Sequence, residues 1–142
     1  MDILDTDLTD VSTKYSVLPA GAYEFTANFV REPSKDGKGE LIKITLKTLT
    51  PCKDRDGKDV FAGHVITDRI SLTQTEKYTR DMILKRLKQV GEAIFGEGQA
   101  PAKTDLVLME GKTLMAKIKV DTDSSGEYDD SNKIAKYIPK EV

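Results

Sequence analysis

Apolar and polar side chains alternate in five separate stretches of the chain, and a period of two is typical of half-buried β-strands. The stretches cover residues 23–29, 41–49, 60–72, 113–120 and 132–139. Asp36-Gly37 follows the first stretch and Asp56-Gly57 follows the second. Because Asp-Gly pairs favour tight hairpin turns, we predict that the first three strands form an antiparallel meander.

Between the third and fourth strands the hydrophobic period changes to that of a helix. Thr73 and Glu76 have the spacing of an N-terminal capping box, and Gly96 stands where a C-terminal cap glycine is expected. These residues predict one long helix between them. Its buried stripe is predicted to contain Ile83, Leu87, Val90 and Ile94.

The predicted order is therefore β-β-β-α-β-β, which is mainly β with one long helix. This is the order of an OB-fold, a five-stranded antiparallel barrel whose second and third strands bind oligonucleotides or oligosaccharides. An open β-sandwich and an α+β roll would produce similar patterns. We divide the chain into an acidic N-terminal arm at 1–18, either disordered or draped on the body, and an OB-like single-stranded-DNA-binding domain at 19–142.

The net charge of −2 conceals an uneven distribution. Residues 1–13 hold four acids and no base, and an acidic loop at 121–132 holds five acids and no base. Without these nine acids, 15 of the 24 acids remain against all 22 bases. The body of the domain is thus basic, as expected of a surface that binds a polyanion.

Few residues suggest catalysis or a resident metal or cofactor. Cys52 and His64 are the single cysteine and histidine of the sequence, whereas zinc requires three or four ligands. The segment from Asp54 to Asp59 departs from the calcium-loop pattern because its glycine comes too early. We predict a protein that is not an enzyme, and that binds no metal and no cofactor.

A basic surface remains as the candidate binding site. Nonspecific single-strand binders combine a groove of Lys and Arg with aromatic rings on which bases stack. The basic residues predicted to contact nucleic acid lie on outward strand positions or in the first turn: Lys43, Lys47, Arg69, Lys117, Lys119, Lys133, Lys35 and Lys38. Phe61 and Tyr137 are the main stacking candidates because they share the outward phase, and Phe29 is a third.

Three quoted stretches carry a family resemblance. LPAGAYEFTANFVREPSKDGKGELIKITLKTL, ITDRISL and LMEGKTLMAKIKVDTDSSGEYDDSNKIAKYIP resemble a phage and prophage family of small OB-fold single-stranded-DNA-binding proteins associated with replication and recombination. The resemblance covers about residues 18–140. It implies sequence-independent binding of single-stranded DNA in phage DNA replication and DNA recombination, with phage replication or recombination proteins as further partners.

Broader expectations concern the membrane, the location, the oligomeric state and an alternative function. No run approaches the roughly 18 apolar residues of a membrane span, so we expect no membrane contact and a cytoplasmic location in the host. Homo-oligomerisation is left open. The alternative function is a small β-barrel structural or protein-interaction component of a phage assembly, and such a component would expose an apolar patch.

The acidic loop at 121–132 lies between two Lys-bearing strands. Its acids would repel phosphate, so we do not expect its tip to hold DNA. We hypothesise that the loop folds against the basic face when the site is empty and moves away on binding. A solvated hairpin tip that only aids solubility is the alternative.

Overall fold

The computed structural model describes residues 2–9, 16–122, 124–127 and 129–141. The strands are β1 (Gly21–Pro33), β2 (Glu40–Thr48), β3 (Cys52–Lys53), β4 (Asp59–Val60), β5 (Val65–Ser71), β6 (Thr113–Asp121) and β7 (Ser131–Ile138). Five of them form one antiparallel sheet in the order β5-β2-β1-β6-β7, and β3 and β4 form a separate two-stranded hairpin. The helices are α1 (Arg80–Phe95) and α2 (Leu106–Met109), and a 3-10 turn covers Ile3–Asp5. The predicted mainly β chain with one long helix is confirmed.

The first predicted hairpin is confirmed between β1 and β2. Gly37 has a φ of 72°, a left-handed conformation that glycine adopts without the clash of a Cβ atom. Asp36 Oδ1 accepts hydrogen bonds from the Ser34 hydroxyl at 2.6 Å and from the Lys38 N–H at 3.0 Å. The side chain of Asp36 therefore fixes the turn locally.

The second Asp-Gly turn has a different place from the one predicted. Asp56-Gly57 closes the small β3–β4 hairpin, so it does not join the second and third strands of the main sheet. The buried side chain of Asp54 accepts from the N–H groups of Asp56 and Lys58, each at 2.9 Å. The main third strand, β5, therefore begins only at Val65.

The helix begins later than the capping-box pattern predicts. Thr73 Oγ1 accepts from the Glu40 N–H at 3.2 Å and is thereby engaged with β2. Thr79 is the N-cap, and its hydroxyl accepts from the Met82 N–H at 3.3 Å. The C-terminal prediction is confirmed, since Gly96 has a φ of 117° and its N–H donates to the Glu92 carbonyl.

The core lies between the inner face of the sheet and α1. The alternation predicted for β1, β2 and β6 is confirmed, because the buried residues of each strand are two positions apart: Phe25, Ala27 and Phe29; Ile42, Ile44, Leu46 and Thr48; and Leu114, Ala116 and Ile118. The helix contributes the predicted Ile83, Val90 and Ile94, with Leu87 partly buried beside them. The apolar core thus follows the period-two and helical patterns of the sequence.

A β-bulge in β7 reverses the side-chain phase that the sequence predicts. Ile118 pairs with Ile134, but the preceding Lys117 pairs with Lys136, so Ala135 is an extra residue. Tyr137 consequently pairs with the inward-facing Ala116 and is only 4% exposed. The prediction that Tyr137 points outward in phase with Lys133 is wrong, because the bulge inserts one residue between them.

The strands β5 and β7 form the two edges of the sheet, and side chains connect them. Tyr137 donates its hydroxyl hydrogen bond to Asp68 Oδ2 at 2.7 Å. Arg86 Nη2 of α1 donates to the same oxygen at 2.9 Å. No backbone ladder joins β5 to β7 among the described residues, so the five-stranded antiparallel sheet is established and barrel closure stays a prediction.

The N-terminal residues differ in their contact with the body. Residues 2–9 are exposed, whereas Val17 and Leu18 are buried. The Leu18 N–H and carbonyl both bond to the side chain of Asn132 at 2.9 Å. The packed part of the chain therefore includes the last residues assigned to the arm. Within the described ranges, no helix is long and apolar enough to cross a membrane.

Candidate nucleic-acid interface

Basic side chains face one another in three cross-strand pairs on the outer surface of the sheet. Lys43 of β2 lies opposite Arg69 of β5. Lys119 lies opposite Lys133, and Lys117 lies opposite Lys136, in the β6–β7 ladder. Like charges directly opposite each other on a sheet reduce stability. These pairs therefore require an explanation other than folding.

The six side chains of these pairs form no ion pair with any carboxylate among the described residues. Other bases of the chain do find acidic partners, namely Arg31, Lys53, Arg55, Lys85 and Arg86. The outer face thus carries positive charge that no described ion pair neutralises, in a chain whose net charge is negative. Phosphate groups are a natural counter-charge for such a surface.

An open cleft of about 440 Å³ lies between the sheet edges β5 and β7. Arg69 lines it from one side, and Lys119 and Lys133 line it from the other. Since Lys43 is the cross-strand neighbour of Arg69, four basic residues follow one another across β2, β5, β7 and β6. We call Lys43, Arg69, Lys133 and Lys119 the basic band.

Hydrogen bonds from Arg86 of α1 and from Tyr137 of β7 hold the β5 side of this cleft in place. Arg86 Nη1 donates to the backbone carbonyl of Arg69 at 3.3 Å, while its Nη2 bonds to Asp68. The Asp68 side chain is 16% exposed and also lines the cleft. Burial, and then the nearby Asp68 carboxylate, raise the pKa of Tyr137 well above its ordinary value. Tyr137 thus remains a neutral hydrogen-bond donor that ties β7 to β5.

The remaining predicted basic residues lie around the band. Lys47 is exposed on β2, four residues from Lys43, and lies opposite Val65. Lys117 continues the outer face of β6, two residues from Lys119. Lys35 and Lys38 are exposed in the β1–β2 turn, close in sequence to the start of β2. The structure therefore brings Lys43, Arg69, Lys119 and Lys133 together and leaves the others at their periphery.

Only one of the three aromatic candidates is accessible to a nucleobase. Phe61 is 85% exposed in the turn between β4 and β5. Phe29 is 7% exposed and Tyr137 is 4% exposed, and both belong to the core cluster. Stacking on Tyr137 or Phe29 would require their removal from the core, so Phe61 remains as the stacking candidate.

The sequence interpretation missed Lys136. Unbroken alternation from Lys133 places residue 136 on the inner face, but the bulge at Ala135 turns it outward, opposite Lys117. A charged residue at a nominally buried position was the available signal, because unpaired charges are very rarely placed in a core.

Cys52 and His64, the single cysteine and histidine, are both partly buried. Burial raises the pKa of the Cys52 thiol and lowers the pKa of His64. The raised thiol pKa reduces the fraction of reactive thiolate. In the described part of the chain, no group of three or more His, Cys, Asp or Glu could hold a metal ion.

No protein-family model and no curated protein matches this sequence. The resemblance to phage single-stranded-DNA-binding proteins therefore stays a prediction based on the three stretches of sequence that carry it.

Proposed function

We propose that this chain binds single-stranded DNA without catalysis and without sequence preference, on an OB-like scaffold. The observation that carries the proposal is the basic band, whose like-charged residues face each other without carboxylate partners among the described residues. Three residues of the band, Arg69, Lys119 and Lys133, line an open cleft, where phosphate oxygens could reach their side chains. Replication and recombination of phage DNA is the biological setting that the sequence resemblance suggests.

The mechanism that we propose is phosphate neutralisation with one stacking position. The Lys and Arg side chains of the band would replace the counterions of the DNA strand. Affinity would then depend on salt and not on the identity of the nucleobases. The exposed ring of Phe61 offers a flat apolar surface, and a base can stack on it only when it is unpaired. The two features together favour a single strand over a duplex.

The experiment that tests the site replaces the Lys119 and Lys133 pair. The double variant Lys119→Gln, Lys133→Gln should weaken binding of oligo-dT and of mixed sequences alike, and reduce the log–log salt slope by roughly 1.4 for two lost phosphate contacts. It should leave thermal stability unchanged or higher, because a cross-strand repulsion is removed.

The matched control is Lys77→Gln, Lys88→Gln, which makes the same charge change at exposed residues before and on α1. We expect a clearly smaller effect on binding from this control. Equal losses in the two double variants would mean that only total charge matters, and would contradict the assignment of the site to the basic band.

The alternative function is a protein-interaction or structural module. It is favoured by aliphatic side chains that remain exposed, including Val107 and Leu108 of α2 and Leu84 of α1. A groove of about 410 Å³ lies near them, lined by Leu84, Leu87, Gly91, Pro101 and Met109 among others. A module of this kind would form stable protein contacts and show no salt-dependent binding of oligonucleotides.

A further inference from the structure

The acidic loop at 121–132 has a carboxylate near basic side chains at each of its ends. At its first residue, Asp121 lines the same cleft as Arg69, Lys119 and Lys133. Near its last residue, Asp130 Oδ2 lies 2.7 Å from Arg55 Nη1. One carboxylate of the loop therefore lies in the proposed DNA site, and a second forms an ion pair at the other end of the loop.

Both contacts belong to the same end of the β6–β7 ladder. Asp121 pairs with Ser131, which directly follows Asp130, and Lys133 is two residues further along β7. The Arg55–Asp130 contact thus lies at the loop end of β7, three residues before Lys133 in the sequence. The two side chains are 40% and 28% exposed, so the ion pair is accessible to a competing anion.

The body of the protein fixes the position of Arg55. Its N–H donates to the Val17 carbonyl at 2.8 Å, and the neighbouring Asp54 is buried in the turn of the β3–β4 hairpin. The loop beyond Asp121 is exposed at Ser124–Glu127 and at Asp129. Arg55 is therefore a fixed anchor, and the loop is the partner that can leave.

We propose that the acidic loop is an internal competitor of DNA at the basic band. A bound phosphate strand would compete with the Asp121 carboxylate in the cleft and break the Arg55–Asp130 ion pair, and Arg55 would then become a further phosphate contact. The empty site would in this way be partly neutralised by its own chain, which lowers nonspecific affinity for weak anions. This inference rests on the proposed function.

Single charge-neutral substitutions test the competition. Asp130→Asn should tighten binding of oligo-dT by about two- to fivefold at low salt, the range expected when an exposed ion pair no longer has to be broken. Asp121→Asn should act in the same direction. The gain should fall as salt rises, since the Debye length shrinks from about 10 Å at 0.1 M to about 3 Å at 1 M.

The matched control is Glu127→Gln. It removes the same charge from the exposed tip of the loop, where Glu127 forms no ion pair with the described residues. We expect Glu127→Gln to tighten binding clearly less than Asp130→Asn. If Glu127→Gln tightens binding as much, a diffuse field explains the effect and the proposal is overturned.

A double-mutant cycle with Arg55→Gln tests the contact itself. If the ion pair mediates the competition, Asp130→Asn should tighten binding in the native background and should add little when Arg55 is already Gln. An equal gain in both backgrounds would contradict the proposal. Absence of oligo-dT binding by the unaltered protein would instead refute the proposed function, so the two failures are distinguishable.

Discussion

Replacement of Tyr137 by Phe removes one hydroxyl and leaves the ring in the core. The lost hydrogen bond joins the Tyr137 hydroxyl to the Asp68 carboxylate at 2.7 Å. It connects the two edge strands of the sheet, β7 and β5. Hydrogen bonds to charged groups contribute about 1.5–3 kcal/mol. Because Asp68 keeps its bond to Arg86 at 2.9 Å, its carboxylate stays partly satisfied. We therefore expect a loss of about 1–3 kcal/mol in the free energy of unfolding.

Urea denaturation followed by circular dichroism measures this loss, and the thermal midpoint should fall by roughly 3–9 °C. Tyr23→Phe is the matched control, because the Tyr23 hydroxyl donates to the Pro19 carbonyl at 2.8 Å in an exposed position. That control should cost less than about 0.5 kcal/mol. Equal stability of the two variants would refute the role of Tyr137 in joining the edges. Weaker DNA binding by Tyr137→Phe at unchanged stability would show that the hydroxyl contacts DNA and does not join the edges.

Three further predictions concern the helix cap, the exposed aromatic ring and the single histidine. Thr79→Ala should cost about 1 kcal/mol in urea denaturation through loss of the N-cap bond to Met82, and Thr79→Ser should restore most of it; no cost would mean that the helix starts elsewhere. Phe61→Ala should leave stability within about 0.5 kcal/mol, because the ring is 85% exposed. The same variant should weaken oligo-dT binding by about 1–3 kcal/mol if a base stacks there. Burial lowers the pKa of His64 in the folded protein, so the unfolded chain binds more protons than the folded one at mildly acidic pH. The free energy of unfolding should therefore fall as the pH drops from the normal histidine pKa towards the lower pKa of the folded state. His64→Gln should flatten that part of the stability–pH curve, and an unchanged curve would contradict the assignment.

The sequence predicted the elements that depend on local period and failed where tertiary contacts decide. Alternation was sufficient for β1, β2 and β6, since one face of each strand packs on the core. The late start of α1 could not be predicted from the capping pattern, because Thr73 uses its hydroxyl to accept from Glu40 of a distant strand. No turn residue or glycine indicates the bulge at Ala135. Because the predicted alternation lacked this bulge, it placed Tyr137 and Lys136 on the wrong faces of the sheet.

The candidate site was predictable only as a set of outward-facing residues. Strand period placed Lys43, Arg69, Lys119 and Lys133 on the outer face, and the structure agrees. That they lie in opposed pairs depends on strand register, which turn lengths and bulges determine. The approach of β5 to β7, which unites the two pairs across one cleft, depends on Asp68, Tyr137 and Arg86, whose contacts span distant parts of the chain. No local pattern encodes it.

Titration of a labelled oligo-dT across a salt series, with a duplex of equal length beside it, tests the central claim most directly. Fluorescence anisotropy from about 0.05 to 0.3 M salt should give a slope near −3 for the logarithm of the binding constant against the logarithm of salt concentration. This value is expected if the four Lys and Arg residues of the band each neutralise one phosphate, at about −0.7 per contact. The single strand should bind more tightly than the duplex throughout. Absence of binding at low salt, or a slope near zero, would contradict the account.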